Sequence, residues 1–340
     1  MAFENEIAPN EPTTNHAIAD GRHQLRMAHL QSHDVPREIV SDIFREAQES
    51  SLVLRVGRRI PVGYGETIIR VDGVEPEVGQ VGVGTRPEDR EGYTKPVSGV
   101  SWGHKSFGPI KLATIVTASA EWERTDPLPF YRDLQSKMSR AIGRGVDLAV
   151  FHNRRPDTGA PLLGTELNSY VNATPNRIWL SGDIYTDIMT GYTMLAESDK
   201  DLTQFAADER VRPQFISARD HNGNQVFQSR LNLADPFDSI AGLTVEYGKA
   251  VPGRIGTSRD TGVRMFAGDF KQIVYGYADQ ITLKRTDVGS IEVDGQQINL
   301  WQTNQVAYLV EVTFGWLVND PNAFIAYDMA PLPHVAPAAA

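Results

Sequence analysis

The stretch Thr303-Asn-Gln-Val-Ala-Tyr-Leu-Val-Glu-Val-Thr-Phe-Gly-Trp-Leu-Val-Asn-Asp-Pro-Asn-Ala-Phe-Ile-Ala-Tyr327 decides the fold. Val306, Tyr308, Val310, Val312, Phe314 and Trp316 fall on one face, and Ala307, Leu309, Glu311, Thr313 and Leu317 on the other. This period of two outlasts the usual strand of about 5–6 residues. Asn319-Asp320-Pro321-Asn322 then breaks it with turn residues, and a short second strand follows. No catalytic group sits in the stretch.

A strand this long needs a cover, and the sequence supplies one. From about Leu128 to His152, Phe130, Leu134, Met138, Ile142, Val146 and Ala149 repeat at helical spacing. Asp126 is placed to cap this helix and Pro127 suits its first turn. Gly143 and Gly145 each cost roughly 1 kcal/mol of helix propensity relative to Ala, which points to close backbone approach or a bend.

Upstream, a helix is expected at about 36–49, capped by Asp34, with Ile39, Val40, Ile43, Phe44 and Ala47 on its apolar face. Strands are expected at Leu52–Val62 and Thr67–Val71 running out, and at Val97–Trp102 and Ile110–Ala118 running back. The segment between them, from Asp72 to Gly92, is rich in Gly, Pro and charge and cannot bury much of itself. A long two-stranded projection is marginal alone, so it calls for a neighbouring molecule to lie on.

Between about 160 and 290, helix and strand alternate. Ser181 is read as the cap of a helix to about 197, with Ile184, Ile188, Tyr192 and Leu195 on one side. A shorter helix is expected at about 208–218 and a turn at Asp220–Asn224. Strands are expected at Leu243–Tyr247 and Gln272–Tyr277, the latter pairing with Ile281–Arg285 through a turn at Ala278-Asp279. The Pro/Ala-rich tail from Pro331 reads as frayed.

Bulk properties narrow the chemistry. The chain has 340 residues, 41% hydrophobic and 22% charged, enough for a sizeable core. It has no cysteine, which excludes disulfides, zinc–thiolate sites and thiol nucleophiles. A net charge of −10 argues against a dedicated nucleic-acid binder, while an acidic wall suits a container along which phosphate must slide. No apolar run approaches the roughly 18–20 residues needed to cross a bilayer.

The motif search yields little. Gly99-Val-Ser101-Trp-Gly103 matches the nucleophile-elbow pattern, but that pattern needs a helix after the serine, and Lys105 to Ala118 alternate like a strand. The Gly-rich stretches at Gly63–Gly65 and Gly79–Gly84 lack a phosphate-receiving helix. His16, His23, His29 and His33 crowd the N-terminal arm without ligand spacing. No cofactor, metal or catalytic residue is assigned.

The order of elements resembles the major capsid proteins of tailed bacteriophages, with their HK-ninety-seven-like shell fold. Four places carry the resemblance: Val35–Val40 leading to Ser50-Ser51, Ile110–Ser119, Ala267-Gly-Asp-Phe270, and Phe314–Phe324. It implies an α+β fold divided as an N-terminal arm (1–35), the first peripheral helix and strand (36–59), an extended loop (60–108), a peripheral domain with the long spine helix (109–159), an axial domain (160–290), closing peripheral strands (291–330) and a flexible tail (331–340). It implies a structural subunit, not an enzyme, assembling with itself into hexamers and pentamers of an icosahedral shell around double-stranded DNA. A separate scaffolding protein or none, a portal and a decoration protein would be partners, with assembly in the host cytoplasm. The short arm points to no large processed segment. Lys95 and Lys105 match no cross-linking motif.

The inter-subunit contact candidates are Arg86, Glu88, Asp89, Arg90 and Glu91 at the loop tip and Trp102 on its returning side. Trp102 reads equally as a neighbour's anchor or as a core contact within the subunit. The alternatives are an encapsulin-like nanocompartment shell and a serine hydrolase using Ser101.

Overall fold

The structure is a computed structural model describing residues 46–47, 50–72, 76–81, 86, 95, 97–99, 101–125, 127–219, 227, 239–279, 282–293 and 295–329. The expected Asp34 and Asp126 caps, the arm histidines, the turn at Asp220–Asn224, the tail, and Glu88 to Glu91 lie outside the described residues. Of the first expected helix only its end is described, where Ala47 is buried.

The long alternating stretch forms strand β14 (Gln305–Val318), and it organises the larger core. Over Gln305–Phe314 it pairs antiparallel with β4 (Ile110–Ser119). It pairs antiparallel with β11 (Thr282–Thr286) across Ala307–Glu311 and with β10 (Ile273–Tyr277) across Phe314–Val318. A two-residue strand, β1 (Arg58–Arg59), adds in parallel to β10. All six residues of the predicted inner face, Val306 through Trp316, are buried. They pack under helix α3 (Pro127–His152), whose Phe130, Leu134, Met138, Ile142, Val146 and Ala149 are buried in the same cluster. Phe314 and Trp316 stack at 5.5 Å, and the Trp316 indole donates to the Ser169 carbonyl at 3.1 Å.

A second, six-stranded sheet has the order β5 (Arg177–Leu180), β15 (Phe324–Met329), β9 (Val263–Gly268), β6 (Gln204–Ala207), β8 (Leu243–Tyr247) and β7 (Ser239–Ile240). Strand β15 shows why the protein has two cores. Its alternate residues part between them: Phe324 and Ala326 join the α3 core, and Ile325 and Tyr327 join the other. The second core is covered by helix α4 (Ile184–Glu197) through Ile184, Ile188 and Leu195. A short helix α5 (Arg212–Ser217) adds Phe215, and β12 (Ser290–Val293) with β13 (Gln296–Asn299) forms a separate hairpin.

Several expectations are corrected. Leu52–Val62 is not one strand: Leu52–Val56 is helix α1. A short apolar run does not distinguish helix from strand, and here distant groups decide. The Asp147 carboxylate of α3 accepts from the N–H groups of Leu52 (3.1 Å) and Val53 (3.0 Å), and Ser51 accepts from Leu54 at 3.3 Å. Those donors have no partner within a helix's first turn. The returning hairpin strand is Trp102–Phe107, not Val97–Trp102, because Phe107 must reach the core at the hairpin base. The strand expected at Ile281–Arg285 does not pair with Ile273–Tyr277, since β14 lies between them. Asp183, not Ser181, caps α4, accepting from Thr186 N–H, while the Ser181 hydroxyl donates to Asp187 at 2.8 Å. Tyr192 is on the exposed side of α4.

Sheet membership also divides the chain differently from the sequence boundaries. Strands β10 and β11, read with 160–290, hydrogen-bond into the sheet of β4 and β14. Strand β15, read with 291–330, hydrogen-bonds into the six-stranded sheet. The Gly143 expectation of close approach holds: a Cβ there would sit 2.8 Å from the Ser50 hydroxyl oxygen and 3.4 Å from the Ala47 carbonyl oxygen.

Candidate assembly surface

The hairpin is built from β2 (Thr67–Asp72) and β3 (Trp102–Phe107), paired antiparallel from Thr67↔Phe107 to Asp72↔Trp102. Its base is anchored. Phe107 is fully buried against Val62 and Leu317, with Ile60, Ile69 and Ala278 around them. Two further ties fix the strand's lower end: Asn168 exchanges hydrogen bonds with the Gly108 backbone at 2.9 and 3.0 Å, and the Lys105 ammonium donates to the Asn319 carbonyl.

Above that base the described hairpin residues are open to solvent. Trp102 is 63% exposed and Ile68 66%. The reading of Trp102 as a core contact is therefore excluded. Two strands with apolar side chains on open faces hold little stability of their own. Arg86, also exposed, belongs to the same projection. Ser101 is exposed and leads directly into β3, so the strand–turn–helix geometry of a nucleophile elbow is absent.

The body that carries the hairpin is fastened by buried polar groups that the sequence reading did not single out. Glu123, on helix α2 (Ala120–Thr125), receives Arg285 of β11 in a two-pronged contact at 3.1 and 3.0 Å and the Tyr131 hydroxyl at 2.9 Å. Burial alone pushes its carboxyl up; the hydrogen bonds outweigh it and hold the group below the usual carboxylate range. At the far end of α3, His152 Nε2 lies 2.9 and 3.0 Å from the carbonyls of Ala250 and Val251. Burial lowers its pKa to about 4, so the ring is neutral with the proton on Nε2.

A second exposed apolar surface was missed. Tyr185, Met189 and Tyr192 follow one another along the outer side of α4. The signal was present as apolar residues at i, i+4 and i+7, one position off the buried set. Among the described residues no group of three His, Asp or Glu side chains is placed to hold a metal ion, and no helix is long and apolar enough to cross a membrane.

Comparison with known proteins places this architecture. Residues 34–329 match the model of the Phage capsid family. The chain is 26% identical over 306 residues to "Probable major capsid protein gp17" of Mycobacterium phage D29, covering 85% of this chain and 88% of that one. Among solved structures, a chain of Gordonia phage Cozz shares 31% identity with a TM-score of 0.70, covering 83% of this chain and 87% of that one. A chain titled "Capsid of native GTA particle computed with C5 symmetry" shares the fold at 12% identity, with a TM-score of 0.56 over 93% of this chain and 99% of that one. The chain therefore belongs to the Phage capsid family, as a major capsid protein that builds its shell from copies of itself.

Proposed function

We propose that the subunit assembles into pentamers and hexamers of an icosahedral shell enclosing double-stranded DNA, and that the 60–108 hairpin lies on an adjacent subunit. The observation that carries this reading is a hairpin buried at its base and bare above it, with Trp102 63% exposed. Aromatic side chains of this kind dominate interface energetics once a partner dries them. Each contact is modest, but a subunit makes several at once, so their joint effect fixes the lattice.

The sheet of β4, β10, β11 and β14 with α3 takes the part of the peripheral domain. The six-stranded sheet with α4 takes that of the axial domain, and its exposed Tyr185, Met189 and Tyr192 become contacts with the next subunit. Glu88, Asp89, Arg90 and Glu91 join Arg86 as the mixed-charge tip that meets a neighbour. Assembly in the host cytoplasm, a separate scaffolding protein, a portal and a decoration protein complete the reading. The named relatives are phage capsid proteins, and they lend the nanocompartment alternative no support.

The test is reversal of the tip: Arg86→Glu with Arg90→Glu. The expected outcome is a subunit with unchanged circular dichroism and melting that forms few or no shells by sizing and negative-stain microscopy. Wild-type shell yield from the double variant would refute the hairpin's role.

A further inference from the structure

On a chain of net charge −10, one groove is strongly basic. Arg55, Lys137, Arg140, Arg144, Lys249 and Arg254 line a groove of about 540 Å³ between α1, α3 and the loop after β8. Among its described lining residues the one carboxylate, Asp147, is already occupied: it accepts from the Ser51 hydroxyl (2.5 Å) and from the Leu52 and Val53 N–H groups. Arg55 is paired with Glu246 at 2.8 Å and Lys137 with Asp133 at 2.7 Å. Arg140, Arg144, Lys249 and Arg254 are exposed, and among the described residues no carboxylate lies within ion-pair distance of them. Four like charges gathered without counter-ions repel one another, so an anion seated among them is favoured.

We propose that this groove is a sequence-independent contact for the phosphate backbone of duplex DNA. The inference rests on the shell reading and adds to it a discrete place where the container holds its contents. Two observations favour a phosphate backbone over an acidic protein segment. First, the aliphatic lining is out of reach: Leu52, Ala250 and Ile255 are almost fully buried, which leaves the cationic heads and the half-buried Tyr247 ring to meet a ligand. Second, Lys137, Arg140 and Arg144 form a row along α3 that spans about 10 Å at 1.5 Å per residue. A duplex carries a charge about every 3.4 Å of its axis per strand, so a row of this length lies against a continuous run of backbone charge. The groove also lacks a free strand edge or a recognition helix, which suits backbone contact without base reading.

The experiment measures binding of the full-length unassembled subunit to a duplex of about 30 base pairs by fluorescence anisotropy, as a function of salt. Four phosphate contacts predict a log–log salt slope of about −3.6, an affinity loss of about 10²-fold between about 50 and 200 mM salt. The variant Arg140→Gln, Arg144→Gln, Lys249→Gln, Arg254→Gln should lose most of that slope. The charge-matched control Arg124→Gln, Lys200→Gln, Lys271→Gln, Lys284→Gln should keep it. All eight side chains are at least partly exposed, and melting curves check that both variants fold. An equal loss in the control, no duplex binding at low salt, or tighter binding of polyglutamate than of duplex would each overturn the proposal. Shell formation by the groove variant is scored separately: a wild-type protein that forms no shells counts against the shell reading, whereas normal shells with unchanged DNA binding count against the groove alone.

Discussion

Asp147 sits within α3 with its carboxylate turned onto the start of α1, where it serves as a cap supplied from 95 residues away. Replacing it with Ala leaves the Ser51 hydroxyl and two backbone N–H groups unpaired in the interior. The expected loss is about 2–4 kcal/mol, read from urea unfolding of the unassembled subunit. Burial raises its pKa from 3.8 to about 6 despite those donors. That raised value adds stability that is fully present below about pH 4 and is lost as pH rises through about 6. His152 works in the opposite sense. Its pKa falls from 6.5 to about 4, so its contribution is present above about pH 6.5 and is lost as pH falls through about 4. Protonation would also place a hydrogen on Nδ1, a buried atom with no partner among the described residues. The two effects oppose each other between about pH 4 and 6. In His152→Gln, which retains a donor toward Ala250 and Val251, only the Asp147 effect remains. Its stability should therefore rise relative to wild type on acidification across that window, measured by thermal melting in a pH series; parallel wild-type and variant profiles would contradict this.

At the scale of elements, α2 and β11 are joined by Glu123 and Arg285. Removing one partner of a buried pair strands the other charge, so Arg285→Met alone should cost about 3 kcal/mol. The double variant Glu123→Gln, Arg285→Met should cost less than the sum of the single changes, and additivity in this double-mutant cycle would show that the pair is not coupled. Much at this scale was legible in the sequence. The spine helix and β14 were read nearly to the residue, because one buried face imposes a sustained period that local inspection detects. The nearly continuous burial of Leu52 to Leu54 carries no such period, so the choice of helix there was invisible until Asp147 supplied the donors' partner. The separation of β10 from β11 was equally hidden: their spacing suits a hairpin, but β14 lies between them and pairs with all five residues of each.

At the scale of the whole molecule, the hairpin separates folding from assembly within one short strand. Phe107→Ala empties the anchored base and should cost about 3–5 kcal/mol of subunit stability. Trp102→Ala, five residues away on the same strand, should shift stability by no more than about 0.5 kcal/mol and yet sharply reduce shell formation by sizing. If Trp102→Ala shells form with wild-type yield and stability, the side chain is a bystander. Of the contact candidates, Trp102 and Arg86 are exposed on the projection, while the basic groove and the outer face of α4 were not anticipated. The groove cations lie on three separate elements, α1, α3 and the loop after β8, and no one-dimensional pattern brings them together. On α4 the inward set Ile184, Ile188 and Leu195 follows the sequence expectation, and Tyr192 alone lies on the outer face instead.

Local sequence carries the class of fold, the long strand, the helix over it, the Gly- and Pro-rich projection and, through their order, the resemblance to phage shell proteins. These follow from periodicity and composition, which act over neighbouring residues. Long-range packing sets the rest: Leu52–Val56 is helical, β14 keeps β10 and β11 apart, β15 faces a different core on each side, and Trp102 is exposed. Each of those outcomes depends on which distant groups satisfy a backbone donor or cover an apolar face, and that information lies in the packing of the chain against itself.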